Sequence, residues 1–214
     1  MAPPRILVVV LAGGAGGRLE LLTRSRAKPA VPYGGTHRLI DFPLSNCLHS
    51  GMSDVWIIEQ QNPVSLSNHL SNGRPWDLDR TTGGLLVLHP RRGDETEGWH
   101  QGTADALWRQ SGLIREHAPE QLVVVSADAV YRLDYDAVVQ QHRDSGAAAT
   151  FVTSEVDPPD AHRYGVVQVA EGRVTDYVYK PEAPRGNVVS NEVYVFEPAP
   201  LLVEMARKGR RFYD

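Results

Sequence analysis

The sequence predicts an α/β fold, a mostly parallel sheet flanked by helices, and three observations predict it. Residues 6–11 and 122–125 are wholly apolar and residues 55–59 nearly so, too continuous for half-exposed strands and suited to strands buried on both faces. Helix-length stretches separate these runs, as crossovers between parallel strands require. A glycine-rich turn, with Gly13, Gly14, Gly16 and Gly17 within five residues, leaves the end of the first run. The combination is Rossmann-like, with a small β-rich extension in the last third of the chain.

The elements follow in order. Residues 42–50 read as a short helix stopped by Gly51, a residue type suited to a helix C-terminal cap. Residues 55–59 form the second strand. Gln60 and Gln61 end it, and after Asn62-Pro63 a helix begins over residues 64–70. Residues 72–82 are polar, with Gly73, Pro75, Asp77, Asp79 and Arg80, and read as a loop crossing one face. Residues 85–89 are a strand, and residues 90–98 (PRRGDETEG) a mobile, solvated charged loop. A helix then carries Leu107 and Ile114 as far as His117, with Thr103 or Asp105 as its cap. After the strand at 122–125 and its terminal Asp128, Asp134 begins or caps a helix over 135–145. Residues 147–155 form a β-rich strand, Asp157-Pro158-Pro159 turns the chain, and Glu171-Gly172 joins residues 164–169 to 173–179 as a hairpin. Residues 198–208 close the pattern as a short helix.

Length and charge narrow the function. With 214 residues the chain supports one sizeable core, read as a single domain over 1–214. A formal net charge of −4 with dispersed Lys and Arg gives no nucleic-acid surface. Cys47 is the single cysteine, which excludes an intramolecular disulfide and a cysteine metal site. The apolar run at 6–12 is too short to span a bilayer and lacks the parts of a signal peptide, so the expectation is a cytoplasmic protein without a membrane partner.

Chemistry concentrates at the ends of the predicted strands. A glycine-rich turn there brings backbone N–H groups close to phosphate oxygens, because no Cβ blocks the approach. An ordinary strand-to-helix turn is the competing reading of the glycines alone. Arg18 adds a forked cation and Lys28, within Arg26-Ala27-Lys28-Pro29, a compact one, which favours a nucleoside triphosphate site. The spacing fits neither the dinucleotide fingerprint nor a P-loop. Gln60, at a strand's C-terminal end, offers a donor and an acceptor for a base edge. Gly102 permits close backbone approach, and Thr103 at a helix start suits an anion or a ribose hydroxyl. Asp128 faces the crevice of an open α/β sheet, where Mg²⁺ takes carboxylate and phosphate oxygens.

The residues 11–30 (LAGGAGGRLELLTRSRAKPA), Tyr33-Gly34-Gly35, 38–42 (RLIDF), 44–47 (LSNC) and 99–106 (WHQGTADA) together resemble the sugar-phosphate nucleotidyltransferases, most nearly their ADP-glucose-forming branch. The likeness runs to the last residues. It implies a fold of the nucleotide-diphospho-sugar transferase type and nucleotidyl transfer from ATP to a sugar 1-phosphate, with glucose 1-phosphate giving ADP-glucose and pyrophosphate for glycogen synthesis. By this resemblance Leu11, Ala12, Gly13, Gly14, Gly16, Gly17, Gln60, Gly102 and Thr103 would bind the nucleotide. Arg18 and Lys28 would hold its triphosphate, and Asp128 the Mg²⁺. Gly165, Lys180 and Ser190 would meet the sugar phosphate. Ser65, Leu66 and His69 match the family helix after Gln60. The chain departs from the family at Ala15, Gln61, His100, Ala127, Ala129, Tyr179, Asn191 and Glu192. It also lacks the later metal-binding aspartate and the C-terminal β-helix, so the resemblance implies a catalytic domain shortened on its C-terminal side, a homo-oligomer in full-length form. A non-catalytic nucleotide- or sugar-phosphate-binding paralogue is the rival expectation.

Overall fold

The computed structural model describes residues 5–13, 17–60, 62–89 and 102–208. Its strands are β1 (Ile6–Ala12), β2 (Pro32–Tyr33), β3 (His37–Arg38), β4 (Asp54–Glu59), β5 (Gly84–Leu88), β6 (Gln121–Ser126), β7 (Ala149–Glu155), β8 (Gly165–Ala170), β9 (Arg173–Tyr179) and β10 (Val188–Phe196). The helices are α1 (Asp41–His49), α2 (Pro63–Leu70), α3 (Thr103–Arg109), α4 (Ser111–His117), α5 (Tyr135–Ser145) and α6 (Pro198–Lys208). The main sheet runs β5-β4-β1-β6-β10-β8-β9, and β7 pairs with β10. The first four of these strands are parallel, and β10 joins β6 antiparallel.

Burial on both faces explains the continuous apolar runs. Val8, Val10 and Ala12 of β1 face one core, shared with Leu44, Leu66, Leu70 and Val139 from α1, α2 and α5. Leu7 and Val9 face a second core with Leu107, Ile114, Leu202 and Met205 from α3, α4 and α6. Each fully buried Val, Leu, Ile or Met among them contributes about 1.5–3 kcal/mol. β1 thus sits at the middle of a three-layer structure.

Several punctuation residues act as predicted. Gly51, at φ 67°, follows α1, and Met52 N–H bonds to Cys47 O at 2.9 Å, the 6→1 bond of a Schellman end. Asp134 caps α5 by accepting from Asp136 N–H (3.0 Å) and Ala137 N–H (3.4 Å). Glu171 and Gly172, at φ 51° and 72°, make the two-residue turn between β8 and β9.

Other expectations are corrected. The helix predicted through 103–117 is two, broken at Gln110 (φ −97°, ψ 2°). The heptad spacing of Leu107 and Ile114 carries the apolar stripe across the break, so periodicity conceals it. Neither Thr103 nor Asp105 caps α3. Gly102 holds the cap position at φ 112°, and Asp105 instead pairs with Arg109 one turn on, at 2.9 Å. The polar stretch 72–82 contains a 3₁₀ turn (Arg74–Trp76) and buries Trp76 and Leu78. The strand predicted from residue 147 begins at Ala149. The charged loop at 90–98 lies outside the described residues.

Candidate active site

Three adjacent parallel strands end together. Leu11 is in register with Ile58 of β4 and with Ser126 of β6, and Ala12 with Glu59. Ala127 N–H then donates to Leu11 O at 3.1 Å, which keeps the chain leaving β6 against β1 and delivers Asp128 beside its end. Across β1, the side chain of Gln60 lies over Gly13. A Cβ at Gly13 would come within 2.9 Å of Gln60 Oε1, so the glutamine amide would have to shift from its present place. Of the other turn residues, Gly17 opens a 3₁₀ segment (Gly17–Leu22) that also carries Arg18, while Gly14 and Gly16 lie outside the described residues.

The strongest juxtaposition is Lys28 with Asp128. Their side chains form an ion pair to Oδ2, each only partly exposed, while Ser126 Oγ donates to Oδ1 at 2.5 Å. Burial pushes the Asp128 carboxyl upward, but the hydrogen bonds from Lys28 and Ser126 and the lysine's charge outweigh it and hold the pKa below the usual value. Asp128 is therefore an ionised oxygen donor at neutral pH. Among the described residues no group of three or more His, Cys, Asp or Glu converges as a metal site. Asp128 offers a metal one carboxylate, not a cage.

Supporting contacts come from residues the sequence reading treated as family markers without a role. Ser65 Oγ of α2 accepts from Ala27 N–H at 3.0 Å, and Arg38 donates to Ala30 O at 3.2 Å, so both ends of the turn carrying Lys28 are tied. Asp41, at the start of α1, accepts from Arg38 N–H (2.9 Å) and meets His69 of α2 at 2.5 Å. Asn46 is buried on α1, where it donates to Tyr131 O (3.2 Å) and accepts from Leu133 N–H (3.3 Å). That pair of bonds fixes the loop following Asp128. A polar residue on the buried stripe of a short helix was the available signal.

A second missed residue is Glu59, fully buried at the end of β4 and in ion contact with His89 just past β5. Neither carboxylate oxygen receives a well-formed hydrogen bond among the described residues. Burial raises its pKa, and His89 only partly opposes the rise.

The residues expected at the sugar phosphate lie on the extension formed by β7 to β10, where the structure gives each its neighbours within the chain. Gly165 is buried because the ring of Tyr177 covers it: an added Cβ would lie 2.3 Å from the Tyr177 hydroxyl. Ser190 is 3% exposed, and its hydroxyl donates to Tyr194 Oη (2.9 Å) and accepts from Glu192 N–H (3.1 Å). These bonds close a bulge where the β10–β7 register shifts between Ser190 and Tyr194, with Glu192 at φ 57°. Lys180 is exposed at φ 47°, with Nζ 4.6 Å from the centre of the Tyr179 ring. Gly102 and Thr103 are exposed at the start of α3. The positive φ of Gly102, with open space around its Cα, is a second place where glycine is required.

The sequence matches the nucleotidyl transferase family over residues 7–211. It is 46% identical over 199 residues to a protein of Thermomicrobium roseum named glucose-1-phosphate adenylyltransferase, covering 92% of this chain and 46% of that one. A protein of the same name from Clostridium acetobutylicum is 40% identical over 197 residues, covering 92% and 52%. The chain thus spans about half the length of these curated relatives. In fold it resembles a Bacillus anthracis crystal structure described as a glucose-1-phosphate thymidylyltransferase, with a TM-score of 0.77 at 18% identity, covering 95% of this chain and 75% of the other.

Proposed function

The chain belongs to the nucleotidyl transferase family, and on that basis we propose that it transfers an adenylyl group from ATP to a sugar 1-phosphate, glucose 1-phosphate first among candidates, to give ADP-glucose and pyrophosphate. The observation that carries this reading is the Lys28–Asp128 pair at the joined ends of β1 and β6, beside the glycine turn. A cation for phosphate and an ionised carboxylate for a metal meet where an open α/β sheet binds ligands.

In the proposed reaction an oxygen of the sugar phosphate bonds to the α-phosphorus of ATP. The bond from that phosphorus to the bridging oxygen breaks, and pyrophosphate leaves with the electron pair. The residues contribute position and charge. Backbone N–H groups of Gly13, Gly14, Gly16 and Gly17 and the cations Arg18 and Lys28 would hold the triphosphate. Gln60, resting on Gly13, would read the base, with Gly102 and Thr103 at the nucleotide's other side. Lys180 would neutralise the sugar phosphate. Asp128 fits Mg²⁺ as a single ionised oxygen ligand, the usual case for a metal held mainly by phosphates and water. When bound, Mg²⁺ would neutralise charge on the departing pyrophosphate. Gly165 and Ser190 enter indirectly, by seating Tyr177 and Tyr194. We assign this role to residues 1–214 as one catalytic domain.

The test is pyrophosphate release by the purified chain with Mg²⁺ and ATP across a panel of sugar 1-phosphates. Release that depends on glucose 1-phosphate supports the proposal, and release with another sugar moves the substrate assignment to Tyr179, Asn191 and Glu192, where the chain departs from the family pattern. Nucleotide binding without release from any sugar supports the binding-paralogue reading instead.

A further inference from the structure

Both carboxylate oxygens of Asp128 are engaged, Oδ1 by the Ser126 hydroxyl and Oδ2 by the Lys28 ammonium. The backbone under Lys28 is tied by Ser65 at Ala27 and by Arg38 at Ala30. Its side chain is 30% exposed on a flexible stem, so the ammonium can change partner while its anchor stays fixed. A divalent cation needs several oxygens, and among the described residues Asp128 belongs to no group of three metal-ligating side chains. Water and the ligand itself are then the natural sources of the remaining oxygens. A triphosphate supplies them and is also the anion that Lys28 is suited to hold.

We propose that the Lys28–Asp128 pair is a latch that admits a divalent cation and a nucleoside triphosphate together and resists each alone. A bare cation meets a carboxylate oxygen already neutralised by an ammonium. A metal-free triphosphate meets a lysine already committed to a carboxylate. The metal–triphosphate complex replaces one ion pair with two, Lys28 to phosphate and Asp128 to metal. The two components therefore bind with positive cooperativity, and by linkage each raises the other's affinity by the same factor. This inference rests on the triphosphate reading of the site and adds the form in which the ligand must arrive.

The test uses Mn²⁺ as the metal probe, followed by the loss of its free EPR signal, and ATP titrated with and without chelator. Lys28→Gln should bind Mn²⁺ alone on the order of 10-fold more tightly than the parent chain, a typical coupling factor. Asp128→Asn should bind metal-free ATP more tightly than the parent, by a similar factor, and the Mn²⁺–ATP complex more weakly. Lys28→Arg, which preserves the pair, should resist Mn²⁺ as the parent does. The gains matter most, since damage to the fold produces only losses. Mn²⁺ affinity in Lys28→Gln equal to the parent's, or metal-free ATP affinity in Asp128→Asn no higher than the parent's, overturns the latch. If the parent binds no nucleotide with or without Mn²⁺, the triphosphate reading fails and the latch fails with it, whereas nucleotide binding with unchanged Mn²⁺ affinity in Lys28→Gln overturns the latch alone.

Discussion

Replacing Gly165 by alanine should destabilise the chain through one neighbour, Tyr177. The added Cβ would sit 2.3 Å from the tyrosine oxygen and 2.7 Å from Cζ and Cε2, where ordinary contact begins near 3.4 Å. The ring must retreat by about an ångström or swing away, and overpacking of this kind costs about 1–3 kcal/mol. Retreat disturbs the edge-on contact with Phe151, whose centroid is 5.9 Å away, and the hydrogen bond to Tyr194. Tyr177 is 39% exposed, so escape toward solvent limits the loss to the lower part of that range, about 1–2 kcal/mol. With a urea slope of roughly 2 kcal/mol/M, the midpoint should fall by about 0.5–1 M. The backbone at Gly165 is not left-handed, so alanine itself is tolerated there. In a Tyr177→Ala background the same change should therefore be neutral or stabilising by up to about 1 kcal/mol, because alanine leaves the unfolded chain less entropy to lose. An equal cost of Gly165→Ala in both backgrounds would refute the account.

Three further outcomes follow from single groups. Asp134→Ala removes the cap of α5 and should cost about 1 kcal/mol by urea unfolding, most of it retained by Asp134→Asn. Cys47 is fully buried and its thiol is pushed up to about 12, so a thiol reagent at pH 8 should leave the native chain unlabelled and label one site after unfolding. Glu59 has a raised pKa in the folded state, because burial disfavours its charge. The stability it contributes is fully present below its unfolded pKa of about 4.3 and is lost as pH rises through the folded value. The parent chain should thus lose stability relative to Glu59→Gln as pH rises across that window, and a difference that is flat with pH would contradict this sign.

The sequence by itself determined the layered fold and the neighbourhood of the site. Strands buried on both faces must be continuously apolar, and that pattern is visible at β1, β4 and β6 without any contact map. Caps and turns are equally local, and Asp134, Gly51 and Glu171-Gly172 act within a few residues of themselves. Asp128 could be chosen as a charge at a strand end and Lys28 as a cation following the glycine-rich turn, each by itself. Only the tertiary structure decided what each meets. That Lys28 is paired with Asp128, that Asn46 fixes the loop beyond it, and that Glu59 lies buried beside His89 all depend on contacts between elements distant in sequence. The extension shows the same limit, because only the structure reveals that Gly165 lies under Tyr177 and that Ser190 bonds to Tyr194. A residue type states what a group is able to bind. Burial and the partner across the sheet decide which of those capacities remains free.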